Sequence, residues 1–166
     1  MAVDPDAFRR AVGRFATGVT VITTVLDGQP FAITANSFTS VSLDPLLVLV
    51  GVRKASRFHA PVLGSGVWGV SVLAADMQDA SRFFASQDRH DAGILFDGWK
   101  HSVGAETGVV LLEDALAAFE CRTVLAYEGG DHTLLLGEVV ALDGFRREAS
   151  PLLFYEGTYR VLPPTD

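Results

Sequence analysis

Apolar residues recur along this chain in two periods. Near the start, Phe8, Ala11, Val12 and Phe15 fall at helical spacing, with Arg9, Arg10 and Arg14 on the opposite face. Asp4 followed by Pro5 supplies a helix start, and Gly18 ends the segment. From there the pattern is that of strands. Val19 to Val25 is rich in β-branched residues, Asp27-Gly28 is a two-residue hairpin signal, and Phe31 to Ala35 returns as a second strand. Leu46 to Val52 is apolar at nearly every position, as in a strand buried on both faces. Val67 to Leu73 predicts another strand. Asp76 then caps a helix through about Ala85, with Asp79 three residues on as an imperfect capping box. Phe96 to Lys100 is a turn into a further strand, followed by Val109 to Leu112 and Ala115 to Tyr127. In the last of these, Phe119, Cys121, Thr123, Leu125 and Tyr127 share one face, with Glu120 and Arg122 on the other. Glu128-Gly129-Gly130-Asp131 is a hairpin turn, and His132 opens the long strand Thr133 to Leu142. Pro151 to Tyr155, a turn at Glu156-Gly157, and Tyr159-Arg160 complete the series. This order predicts an antiparallel barrel rather than a doubly wound sheet. No Gly-x-Gly-x-x-Gly follows a strand, so a Rossmann dinucleotide site has no support.

Between the second and third strands lies Thr34 to Asp44, a stretch without Lys, Arg, Glu or Gly. Thr34, Asn36, Ser37, Thr39, Ser40 and Ser42 can all donate or accept hydrogen bonds. Such residues are common in ordinary turns, but a polar stretch this long with no basic residue is an unusual surface loop. It reads as a lining for a flat polar ligand. Lys54 to Arg57 closes the third strand and opens a short helix at Ser56. A helix start presents free N–H groups that suit a phosphate, and Lys54 and Arg57 would add charge-assisted bonds. A solvated helix start is the plainer alternative. Arg89, in the polar loop Gln87 to His90, is a secondary phosphate candidate.

Composition narrows the class. At 166 residues, with 49% apolar and 20% charged residues, the chain is one globular domain. Its net charge of −7 argues against non-specific nucleic-acid binding and against an acidic membrane surface. The single cysteine, Cys121, forms no internal disulfide, as fits a reducing cytoplasm. On the inner face of its strand it is a small core residue rather than a nucleophile. The N-terminus lacks the basic and apolar regions of a signal peptide, and no apolar run approaches the roughly 20 residues that span a bilayer. The chain therefore reads as cytoplasmic. His59, His90, His101 and His132 have no paired ligand spacing, so no metal site is expected.

Five pieces in order resemble the flavin reductase-like family, the NAD(P)H:flavin oxidoreductases of the FMN-binding split barrel. They are the Thr34 stretch, Phe15 to Val21, Lys54 to Phe58, Gly130-Asp131-His132-Thr133 and Gly157-Thr158-Tyr159-Arg160. The resemblance runs from about Phe8 to Arg160; Leu46 departs from it, where many relatives carry a second proline after Pro45. It implies a six-stranded antiparallel split β-barrel of Greek-key character with short flanking helices, built as a homodimer. It also implies reduction of FMN or FAD by NADH or NADPH, the reduced flavin diffusing to a partner flavin-dependent monooxygenase.

By the same resemblance, Thr34, Ala35, Asn36 and Ser37 contact the flavin ring edge. Ser40, Val41, Ser42, Lys54, Ala55, Ser56 and Arg57 hold the ribityl chain and phosphate, and Phe83 lies close to the flavin. Gly-Asp-His contributes His132 to nicotinamide binding, with Tyr155 and Tyr159 as stacking surface. Hydride transfer between two stacked rings needs proximity and orientation more than acid–base groups, so the lack of a nucleophile–base pair is expected. The rival readings are an FMN-retaining electron-transfer or storage protein, a pyridoxamine-phosphate-oxidase-like enzyme, and a β-barrel for apolar ligands. The Gly-Asp-His triplet counts against the first. The lack of a second basic cluster counts against the next, and the polar Thr34 stretch against the last.

Overall fold

A computed structural model describes residues 2–86, 94–146 and 148–163. The chain opens with α1 (Pro5–Val12), where the Asp4 side chain accepts from the N–H groups of Asp6 and Ala7. The helix stops at Val12 rather than running on to Gly18. Gly13 closes it with an N–H bond to Arg9 O at 3.0 Å. No residue of α1 is buried. Phe8, Val12 and Phe15, on the predicted apolar stripe, are 62%, 52% and 77% exposed.

The strands follow as β1 (Thr17–Gly18), β2 (Thr20–Leu26), β3 (Gln29–Ala35), β4 (Thr39–Leu43) and β5 (Leu46–Arg53). Then come α2 (His59–Ser65), β6 (Val67–Val72), a 3-10 turn (Ala75–Met77) and α3 (Gln78–Ala85). The chain ends with β7 (His101–Val103), β8 (Val110–Leu112), β9 (Ala117–Gly129), β10 (His132–Phe145), β11 (Leu152–Tyr155) and β12 (Thr158–Val161). The fold is mainly β with few helices. The predicted turns at Asp27-Gly28, between Glu128 and Asp131, and at Glu156-Gly157 all form; φ is positive at Asp27 and Gly28, at Gly130, and at Glu156 and Gly157.

The largest sheet has seven strands, in the order β3-β2-β6-β9-β10-β5-β4; smaller sheets are β1-β11-β12 and β7-β8. The family resemblance implies six strands. The difference lies in the Thr34 stretch, where Thr39 to Leu43 is a strand paired with β5 and not a loop. Thr39, Val41 and Leu43 alternate with Ser40 and Ser42 there, a period of two that the polar composition hides.

β3 and β4 are opposite edges of this sheet and are not hydrogen-bonded to each other. A flat sheet would set them about 29 Å apart, six spacings of about 4.8 Å. Yet only Asn36, Ser37 and Phe38 separate them in the chain, a link that reaches at most about 14 Å. The sheet must therefore curl. One core cluster includes Ile22, Val48, Val50, Val52, Phe58, Val62, Trp68 and Leu135. A second collects Val19, Val21, Leu73, Met77, Phe84, Phe96 and Leu152. β2 serves both, so it is buried on its two faces. Its buried threonines are satisfied, Thr23 donating to Val110 O and Thr24 to Val67 O, each at 2.6 Å.

Two side chains depart from their predicted settings. Asp76 is no cap; it pairs with Arg146 at 2.9 Å, and that bond holds its carboxyl below the usual range. Glu120, expected on the outward face of β9, is buried. Its carboxylate accepts from the N–H groups of Glu106 and Thr107 and from the Thr107 hydroxyl, which makes burial of the charge tolerable.

Trp68 is fully buried, and a Cβ placed at Gly137 would lie 2.3 Å from its ring. Gly137→Ala must displace the indole or the strand and is expected to cost about 1–3 kcal/mol. A urea titration should show a lower midpoint at unchanged slope.

Candidate functional site

A cleft of about 730 Å³ is lined by the β3 edge, the end of β5 and the turn after it. That volume suits one drug-sized ligand. Thr34, Ala35, Asn36 and Ser37 line it from the β3 side, and Ala55, Ser56 and Arg57 from the turn. His132, at the start of β10 and in register with Arg53 of β5, also lines it. The chain thus brings together residues from three separate segments.

Other residues singled out in the sequence lie elsewhere. Ser40, Val41 and Ser42 sit on β4 and do not line the cleft. Lys54 turns away to an ion pair with Glu128, and its N–H donates to Asp131 O at 2.9 Å. Phe83 packs on Phe84 and Trp99, with centroids 5.1 and 5.4 Å away, and Phe84 takes the lining position. Tyr155 and Tyr159, on β11 and β12, are also outside the lining. Arg89 lies outside the described residues.

The lining also holds Phe31, Gly51, Arg53, Ser86 and Leu95, which the sequence reading does not single out. For two of them a signal is available. Val48, Val50 and Val52 share one face of β5 by period two, which leaves Gly51 and Arg53 on the other.

Most hydroxyls of the polar stretch are already engaged. Thr34 Oγ1 donates to Ser81 O at 2.6 Å. Ser37 Oγ donates to Gly51 O at 2.8 Å and accepts from Gly51 N at 3.1 Å, so it ties the β3–β4 link to β5. Ser56 differs: its Oγ is buried and has no hydrogen-bond partner among the described residues. Nor does a helix begin there. The Ser56 N–H closes a turn onto Arg53 O at 3.0 Å, and α2 starts at His59, with Phe58 buried just ahead of it.

His132 Nδ1 lies 2.8 Å from Asp131 Oδ1. That hydrogen bond, with the imidazole's charge, holds the Asp131 carboxyl below its usual range. An ionised carboxylate only accepts, so Nδ1 carries the proton and Nε2 keeps its bonding capacity. Among the described residues no group of three or more His, Cys, Asp or Glu could hold a metal ion.

Residues 12–163 match the family model for the flavin reductase like domain. The chain belongs to the flavin reductase-like family. It is 40% identical to the reductase subunit HsaB of a flavin-dependent monooxygenase from Rhodococcus jostii (strain RHA1), over 98% of this chain and 80% of that one. It is 42% identical to the NADH-dependent FMN reductase AsuE2 of Streptomyces nodosus subsp. asukaensis, over 93% and 83%. The solved NADH:FAD oxidoreductase SgcE6 of Streptomyces globisporus C-1027, in complex with NAD and FAD fragments, superposes with a TM-score of 0.89. It shares 40% identity and covers 99% of this chain, which covers 98% of it.

The cleft of this flavin reductase-like chain fits the cofactor of its family. An orphaned buried hydroxyl at Ser56, with Arg53 and Arg57 in the same lining, is a donor set that suits a phosphate. Apolar Phe31, Ile33 and Phe84 supply surface for a ring. No helix among the described residues is long and apolar enough to cross a membrane.

Cys121 has no part in this site. Burial, and then the charge of Glu120, push its thiol up to about 12, far from a reactive thiolate at neutral pH. Native protein at pH 8 should resist iodoacetamide, with one equivalent incorporated only after unfolding in guanidinium, as counted by mass spectrometry.

Proposed function

We propose that this chain is an NAD(P)H:flavin oxidoreductase that reduces FMN or FAD and releases the reduced flavin to a partner monooxygenase. The observation that carries the reading is the orphaned Ser56 hydroxyl at the cationic end of a cleft with apolar walls. A buried hydroxyl without a partner costs free energy, which a ligand oxygen would recover. Bound flavin supplies a ring that accepts a hydride from the nicotinamide. The protein's part is to hold the two rings together and keep water out.

In this reading Ser56, Arg53 and Arg57 hold the flavin phosphate. The residues from Thr34 to Ser37 meet the ring edge chiefly through backbone. Edge strands leave alternate N–H and C=O groups unpaired, and β3 is an edge. Backbone dipoles fixed in this way favour added negative charge on a reduced ring. His132, oriented by Asp131, presents Nε2 to the nicotinamide carboxamide or its phosphates. Lys54 supports the site from behind, through Glu128 and the Asp131 carbonyl. The curled sheet is read as the family's split barrel, with the split at the cleft.

We read the working unit as a homodimer. Val41, Leu43 and Leu46, at 50%, 83% and 48% exposed, make an apolar edge around β4. Val124, Leu125 and Tyr127 on β9 are about half exposed as well. Apolar surface gathered in this way marks an association face.

Purified protein should oxidise NADH only when FMN or FAD is added, followed as loss of absorbance at the nicotinamide band. Flavin that stays bound and is not bleached by NADH would support an electron carrier or store instead. His132→Ala should raise the KM for the nicotinamide about tenfold with little change in flavin affinity. Equal damage to both would assign His132 to the flavin or the fold. Ser56→Ala should weaken FMN binding about tenfold, the loss of one bond to a charged group. Riboflavin, which lacks the phosphate, should bind wild type and variant alike.

A further inference from the structure

We infer that Ser81 is a positioning residue that sets the wall of the flavin cleft, and that the Tyr159 hydroxyl acts on the site through it. The inference rests on reading the cleft as a flavin site. Ser81 is fully buried in α3. Its carbonyl accepts from Thr34 Oγ1 at 2.6 Å, and its hydroxyl shares a hydrogen bond with Tyr159 OH at 2.7 Å. One residue therefore joins the β3 edge, α3 and the separate β1-β11-β12 sheet.

The geometry gives this junction leverage on the cleft. Phe84 lies three residues after Ser81, so the two share a face of α3, and Phe84, Ala85 and Ser86 form part of the lining. Thr34 lines the cleft as well, but its hydroxyl proton goes to Ser81 and not to a ligand. The bond therefore sets the spacing between the two sides that would grip the ring. The Tyr159 ring is partly buried and has two ring contacts. Its ring meets Phe154 with centroids 5.6 Å apart, and the Arg82 guanidinium lies 5.6 Å from its centroid. It is outside the cleft lining, so it offers no stacking face there. Its hydroxyl is its link to the site.

Losing either bond leaves a buried polar group without its partner and lets α3 shift against β3. The test compares Ser81→Ala, Tyr159→Phe and the double variant, with Thr34→Val as a third probe. Each is assayed for FMN dissociation constant, for nicotinamide KM at saturating flavin, and for thermal midpoint. Ser81→Ala and Tyr159→Phe delete the same hydrogen bond and leave the Ser81 carbonyl to Thr34, so each is expected to raise the FMN dissociation constant about three- to tenfold, and Thr34→Val, which deletes the other bond, by about as much. Nicotinamide KM should move less than twofold. The double variant should bind FMN no worse than Ser81→Ala alone, because the one group that Tyr159→Phe removes, the hydroxyl, meets Ser81. Tyr159→Phe and Thr34→Val keep side-chain volume and carry the test if Ser81→Ala fails to fold. Lower thermal midpoints with unchanged FMN affinity would overturn the inference, leaving Ser81 a structural residue. Additive losses in the double variant would overturn the route through Ser81. Wild-type protein that binds no flavin would overturn the underlying reading and this inference with it.

Discussion

A link of three residues, Asn36 to Phe38, joins the two outermost strands of a seven-stranded sheet. Because the link is shorter than the width of the sheet, the sheet has to curl, which brings the β3 edge round to the end of β5, where the cleft lies. Other features of the site follow from holding β3 in that place. Ser37 holds the link to Gly51 of β5, and Thr34 holds β3 to α3. The polar stretch is in large part a set of fasteners. Where the stretch lines the cleft, from Thr34 to Ser37, the polar groups not tied up by those hydroxyl bonds are backbone and the Asn36 side chain.

Charge follows the same economy. The chain carries a net −7, yet the cleft draws Arg53, Arg57 and His132 into its lining. An anionic ligand responds to these near groups, since more distant exposed charges are screened beyond about 8 Å at physiological ionic strength. Lys54 is the instructive case. It sits between two lining arginines in sequence, but Glu128 takes its charge. Its contribution is to the seam between the turn after β5 and the hairpin that presents His132.

Parts of the fold expose apolar surface where a core would be expected. α1 has a helical stripe with no residue buried, and the far half of β9 is exposed from Val124 to Glu128. Beyond the bulge near Leu136 and Gly137, β9 still pairs with β10 but has no core beneath it. An apolar period in sequence marks a face to be covered. It does not say whether the cover comes from the same chain.

The sequence alone determined the elements whose signals are local. Asp27-Gly28 is marked as a turn because Asp and Gly tolerate positive φ, and Glu156-Gly157 is marked by its glycine. Val48, Val50 and Val52 must share a core face, and Asp4 must cap α1. The segments bearing Thr34, Ser56 and His132 were also legible, through order and motif. Tertiary structure decided which side chains in those segments are spent and which are free. Whether Thr34 or Ser56 keeps a hydroxyl for a ligand depends on a carbonyl 47 residues away in one case and on no near partner in the other. It also decided that Phe84 rather than Phe83 meets the cleft, that Arg53 joins it, and that Glu120 is buried. Each of these depends on distances between segments far apart in the chain, and local periodicity carries no record of them.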